Sequence, residues 1–113
     1  DLVSLKHSIT VNGVTDLIMM KGDVLSGIDK IKVCTKYNYN GEVVDYMPFS
    51  IMDENIEPIY EEIDGWEEDI TQAKSYNDLP LNFKNYVAFL EDKLNLKIKI
   101  VSVGPDRKQT IFV

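Results

Sequence analysis

Arginine is nearly missing from this chain of 113 residues; Arg107 is the only one. Bidentate grips on phosphate or carboxylate are usually built from arginine, so this segment offers little for such a grip. Cysteine is as scarce. Cys34 stands alone, which excludes an internal disulfide, fits a reducing compartment and reads as a packing residue. The one histidine, His7, has no second ligand or nucleophile beside it in sequence and reads as a surface residue. No apolar run reaches the length of a membrane helix, and no signal peptide is visible. A glycine-rich phosphate loop, a metal cluster and a Ser/His/Asp or Cys/His arrangement are all lacking. Positive charge is in deficit, with 12 basic against 19 acidic residues and a net charge of -7. That balance repels phosphate backbones and anionic membranes, so neither nucleic acid nor membrane is an expected partner.

What is present is ordinary for a globular domain: 44% hydrophobic and 27% charged residues. The length suits one small domain with a feasible core. No repeat, low-complexity tract or linker divides it, so residues 1–113 read as a single domain. The row opens at Asp1 without methionine and closes on Ile111-Phe112-Val113, so the chain reads as a piece of a longer one.

Leu2, Leu5 and Ile9 at helical spacing, stopped by Asn12-Gly13, predict a helix over 1–11. Leu17-Ile18-Met19-Met20 predicts a strand buried on both faces. Asp23 to Gly27 predicts a short helical turn closed by glycine. Residues 31–39 alternate as a strand, Asn40-Gly41 is a tight hairpin turn, and 42–46 return as its partner. Residues 56–63 suggest another strand, with Pro58 marking an edge position or its first residues. Residues 65–76 predict a structured loop, anchored by Trp66. The run Glu61-Glu62-Ile63-Asp64 and Glu67-Glu68-Asp69 lacks calcium-loop spacing and reads as a solvated face. Asn82 is the expected cap of a helix with the stripe Phe83, Tyr86, Val87, Leu90 and Leu94, ended by Asn95. Residues 96–103 predict a strand apolar on both faces at Val101 and Val103, ended by Gly104-Pro105. Residues 110–113 suggest a last short strand. The pattern is α/β with a mixed sheet, mixed because its central hairpin is antiparallel, and with one face left uncovered.

Two segments could carry chemistry. The first is Met20-Lys21-Gly22-Asp23 after a strand. A carboxylate there can accept two hydrogen bonds from guanine, at its ring N–H and its exocyclic amine, while the lysine stem lies along the base. Ligands of open α/β sheets do sit at the strands' carboxyl ends. The plainer reading is a surface lysine beside a helix-capping aspartate. The second is Val101-Ser102-Val103-Gly104-Pro105-Asp106-Arg107. Backbone N–H groups there can bond the guanine carbonyl, and glycine lets a base approach closely. The plainer reading is a β-turn on Gly-Pro-Asp.

In order along the chain, these segments resemble the adenylosuccinate synthetase family, in its C-terminal part. The resemblance is carried by the stretch from Asn12-Gly13 through Asp23-Val24-Leu25-Ser26-Gly27, continuing as Ile28 to Cys34, and by Gly65-Trp66-Glu67-Glu68-Asp69-Ile70-Thr71. Asp78-Leu79-Pro80, and Ser102-Val103-Gly104-Pro105-Asp106-Arg107 with Gln109-Thr110-Ile111, continue it. It implies the C-terminal part of a P-loop-NTPase-like mixed sheet with flanking helices, incomplete as given. It implies a GTP-dependent ligase that joins IMP and L-aspartate, with magnesium as cofactor, in a cytoplasmic homodimer. GTP phosphorylates the IMP 6-oxygen and aspartate displaces that phosphate. Lys21, Gly22 and Asp23 are then one guanine-recognition segment, and Ser102, Val103 and Gly104 the other. The chain departs from the family at Met20, usually threonine, and at Gly22, usually a larger apolar residue; Gly22 is expected to loosen how Lys21 lies over the base. The family's phosphate loop, catalytic aspartate and histidine, magnesium ligands and arginine-rich aspartate loop precede such a segment. Catalytic residues and metal ligands are therefore not expected here, and the segment alone is expected to be inactive. The rival reading is a small acidic protein-interaction module without nucleotide binding.

Overall fold

Asp1 begins the first helix by accepting a hydrogen bond from the Ser4 amide at 3.1 Å, which satisfies one of the donors a helix start leaves open. The computed structural model describes residues 1–46 and 56–113. They form two compact units, Asp1–Val14 with Lys32–Glu62, and Thr15–Ile31 with Ile63–Val113.

The first unit holds α1 (Leu2–Asn12), closed by Gly13 in the left-handed region at φ 64. It also holds most of a sheet of β2 (Lys30–Tyr39), β3 (Glu42–Val44) and β4 (Ile56–Asp64), in the order β3-β2-β4. Asn40 and Gly41 both have positive φ, 53 and 88, as a two-residue hairpin turn demands. Tyr39 accordingly pairs with Glu42. Pro58 falls on the edge strand β4, as expected of a proline in a sheet. Val3, Cys34, Tyr37 and Val44 make the core of this unit. Tyr37 donates its hydroxyl to the second Asp1 oxygen, and burial, with the nearby Cys34, pushes its pKa up. Cys34 is a packing residue, and His7 is exposed, as their sequence context indicates.

The second unit is built on β1 (Asp16–Met19), β5 (Lys97–Ser102) and β6 (Thr110–Phe112), ordered β1-β5-β6. β1 and β5 run parallel, whereas β5 and β6 are antiparallel. The sheet is mixed for that reason, and not because of the hairpin, which belongs to the other sheet. α2 (Leu81–Leu94) buries Phe83, Val87, Leu90 and Leu94 of the predicted stripe, leaves Tyr86 half-buried, and ends at Asn95 with φ 55. Its start differs from expectation. Pro80 is the cap residue, and the Asn82 amide donates instead to the Gly65 carbonyl at 2.8 Å.

β1 also departs from its expected burial. Ile18 is 58% exposed and Met20 is 67% exposed. Val101 and Ile111 are buried on one side of the sheet, while Ile18, Ile100 and Phe112 form a cross-strand row on the other, with Ile18 and Phe112 exposed. A four-residue apolar run cannot distinguish one covered face from two. The loop after β4 is structured as predicted. Trp66, Ile70 and Leu79 are buried, and the Asp69 and Asp78 carboxylates accept backbone N–H bonds. For Asp78 these bonds, from Lys74 and then Ser75, hold the carboxyl below its ordinary value. The acidic residues Glu61, Glu62, Asp64, Glu67, Glu68 and Asp69 are exposed.

Candidate functional site

The parallel pairing of β1 and β5 brings Met19 opposite Val101, so the segments that leave the two strands start side by side. One is Met20-Lys21-Gly22-Asp23 and the other is Val103-Gly104-Pro105. Between them lies a groove of about 770 Å³. Lys21 and Asp23 line it from the first segment; Ser102, Gly104 and Pro105 line it from the second. Ile18 and Ile100 extend it along the open sheet face.

Local backbone geometry decides which groups point into the groove. Lys21 is left-handed at φ 55, a conformation that costs a non-glycine residue about 1 kcal/mol. The turn sends Gly22 inward, where it is buried, and leaves Lys21 exposed and Asp23 half-buried. Asp23 lies in the first turn of a short 3-10 helix, Gly22–Leu25, and its side chain caps nothing there. The carboxylate therefore has its acceptor sites free among the described residues. That sets aside the plainer reading of a capping aspartate.

The surroundings of Gly22 are closely packed. A Cβ at this position would lie 3.1 Å from Phe83 Cε2 and 3.3 Å from the Ser102 carbonyl oxygen. The space a larger residue would take is filled by Phe83, so Gly22 packs tightly. Phe83 is fully buried and stands edge-on to Trp66, with centroids 4.7 Å apart and planes at 68°. Trp66 in turn donates its indole N–H to Ser26 Oγ at 3.0 Å. Gly65 donates to the Asp29 carbonyl and Gly27 donates to the Trp66 carbonyl, each at 2.8 Å. This strap fixes the chain just after Asp23.

The second segment is fixed as closely. Ser102 Oγ donates to the Gly104 carbonyl at 3.0 Å, and the Val103 amide donates to the Gln109 carbonyl at 2.8 Å. Asp106 caps a short 3-10 helix, Arg107–Gln109. Lys21, Asp23, Ser102 and Gly104 therefore share one groove, while Gly22 and Val103 sit behind its wall. The Val103 amide is already engaged, so it is not a free donor to a ligand. Sequence reading did not single out Ile18 and Ile100 as lining, because both looked like core positions. Nor did it single out Gln109, although Asp106-x-x-Gln109 has the spacing of a capping box.

Two cationic side chains, Lys21 and Arg107, and two carboxylates, Asp23 and Asp106, surround the groove. With no surplus of positive charge, it suits a flat, largely uncharged ring that offers hydrogen-bond donors on one edge, rather than a phosphate chain.

A model of the adenylosuccinate synthetase family matches residues 1–111. The adenylosuccinate synthetases of Flavobacterium johnsoniae and Christiangramia forsetii are 54% and 59% identical over 111 residues. Each match covers 98% of this chain and 26% of the relative. A solved structure of the fully ligated adenylosuccinate synthetase from Plasmodium falciparum is similar, with a TM-score of 0.92 at 31% identity. It covers 100% of this chain and 28% of that one. The chain thus spans about a quarter of the length of these relatives. The C-terminal placement implied by the resemblance is corrected here: the matches do not sustain it, and what they give is a share of the length.

Proposed function

This chain belongs to the adenylosuccinate synthetase family, and on that premise we propose that its groove holds the guanine base of GTP. The full-length synthetase is then a GTP-dependent ligase. It joins IMP and L-aspartate into adenylosuccinate as GTP becomes GDP and phosphate. The observation that carries the reading is the convergence of Lys21, Asp23, Ser102 and Gly104 on one groove at the ends of two parallel strands.

Each group has a task that follows from its chemistry. The unengaged Asp23 carboxylate accepts from the guanine ring N–H and exocyclic amine. Adenine has no such pair of donors on that edge, so one carboxylate selects the base. The Lys21 stem lies along a face of the ring, with its ammonium in water. The Ser102–Gly104 segment meets the carbonyl edge of the base. Binding the base this way holds the nucleotide in place for transfer of its phosphate to IMP. IMP and aspartate belong to the rest of the enzyme, and no residue of this segment is given a catalytic role.

The reading brings magnesium with the nucleotide, a homodimer and a cytoplasmic location as parts of the same proposal. Among the described residues no three His, Cys, Asp or Glu groups stand together as a metal site. Magnesium is accordingly assigned no ligand here, and no step is derived through it. The family match favours this reading over that of an acidic interaction module.

The test is a nucleotide panel on the full-length synthetase. GTP should exceed ITP in kcat/KM by about tenfold, because ITP lacks the exocyclic amine. ATP should be weaker still. ATP and GTP used equally well would overturn the assignment of the groove.

A further inference from the structure

Gln109 makes contacts out of proportion to its place at the end of a three-residue helix. Its carbonyl accepts from the Val103 amide at 2.8 Å. Its Oε1 accepts from the Asp106 amide at 2.9 Å, and its Nε2 donates to the Thr71 carbonyl at 3.1 Å. Its amide also lies directly against Gly104. A Cβ on that glycine would fall 2.2 Å from Gln109 Oε1, 2.3 Å from Cδ and 2.4 Å from Nε2. An amide held at both ends cannot swing aside, so it acts as a fixed stop behind the Gly104 backbone. Thr71 belongs to the loop that carries Trp66, and Trp66 packs on Phe83 behind Gly22. One side chain thus links the support of both groove segments.

We propose that Gln109 is a positioning residue for nucleotide recognition: it sets the height of the Ser102–Gly104 backbone against the bound base and couples it to the Thr71 loop. The inference rests on the reading of the groove as a guanine site. Gln109 itself touches no ligand in this account. Its effect passes through Gly104, and so falls on the edge that GTP and ITP have in common, the ring carbonyl.

The experiment is steady-state kinetics of the full-length synthetase with Gln109→Ala and Gln109→Glu, using GTP and ITP as probes. Gln109→Ala should raise KM for both nucleotides by about tenfold with kcat held within a factor of about two. The ratio of GTP to ITP should stay at its parent value, and the KM values for IMP and aspartate should not move. Gln109→Glu keeps the acceptor for the Asp106 amide but sets a carboxylate against the Thr71 carbonyl, so its KM shift should be smaller than that of Gln109→Ala. Asp23→Asn is the internal reference, because it should change the GTP to ITP ratio. Unchanged KM for GTP in Gln109→Ala overturns the positioning role, as does a parallel rise in the KM for IMP and aspartate. If Asp23→Asn leaves the ratio unchanged, the guanine reading itself fails. Thermal unfolding of each variant, with a midpoint near the parent's, separates a shifted groove from a lost fold.

Discussion

Asp23→Asn in the full-length synthetase is expected to weaken GTP by about 30- to 150-fold in kcat/KM, from the loss of roughly 2–3 kcal/mol of charge-assisted hydrogen bonding. The direction follows from the donor pattern of the base. A carboxylate accepts from both the ring N–H and the exocyclic amine. An asparagine amide offers one acceptor and one donor, so its N–H₂ faces the amine of guanine donor to donor. The same change suits xanthine, which carries an oxygen at that position, so XTP should gain while GTP loses. ITP should lose less than GTP, because it has only the ring N–H to lose. Asp23 is half-buried, and its side chain bonds no described residue. The substitution should therefore leave the melting temperature close to the parent's. A GTP kcat/KM within about threefold of the parent would remove Asp23 from this role.

The largest expected effect on folding is that of Gly65→Ala. A Cβ at position 65 would lie 1.7 Å from the Ile28 carbonyl oxygen, 2.9 Å from its carbon and 3.2 Å from the Asp29 oxygen. All three are backbone atoms, so no side chain can rotate to make room. The strap must lift, and the 2.8 Å bonds of Gly65 to Asp29, Gly27 to Trp66 and Asn82 to Gly65 go with it. Overpacking and the loss of buried hydrogen bonds together should cost about 4 kcal/mol, a large part of the stability of an ordinary domain. Gly41→Ala is the contrast. Gly41 has φ 88 with open space around it, so alanine there pays only for its backbone conformation, about 1 kcal/mol. Chemical unfolding of both variants measures the difference. Equal stability of the two would mean that Gly65 is chosen for conformation and not for the approach of Ile28.

Much of this arrangement was legible in the sequence, for reasons tied to particular residues. The stripe Phe83, Val87, Leu90 and Leu94 has the helical period, and Asn40-Gly41 has the turn chemistry of a tight hairpin, so local spacing was enough. Asp23 stood out because it follows an apolar strand and Ser102 because it lies at the end of one, and the parallel register of β1 and β5 then placed their segments together. Other features depend on partners far along the chain. Asn82 looks like a cap, but the Gly65 carbonyl claims its amide. Ile18 looks like core, but among the described residues it is exposed. Gly22 carries no local sign that Phe83, far along the chain, packs against it. Gln109 bonds a carbonyl 38 residues away, and no local pattern announces such a contact.

The central claim is that a guanine base sits between the Lys21–Asp23 and Ser102–Gly104 segments. A crystal structure of the full-length synthetase with GDP bound tests it most directly. The base should lie in the groove, with its ring nitrogen and exocyclic amine each about 2.7–3.2 Å from an Asp23 carboxylate oxygen. Its carbonyl edge should face Ser102 and Gly104. A base bound elsewhere, with Asp23 left in water, would contradict it.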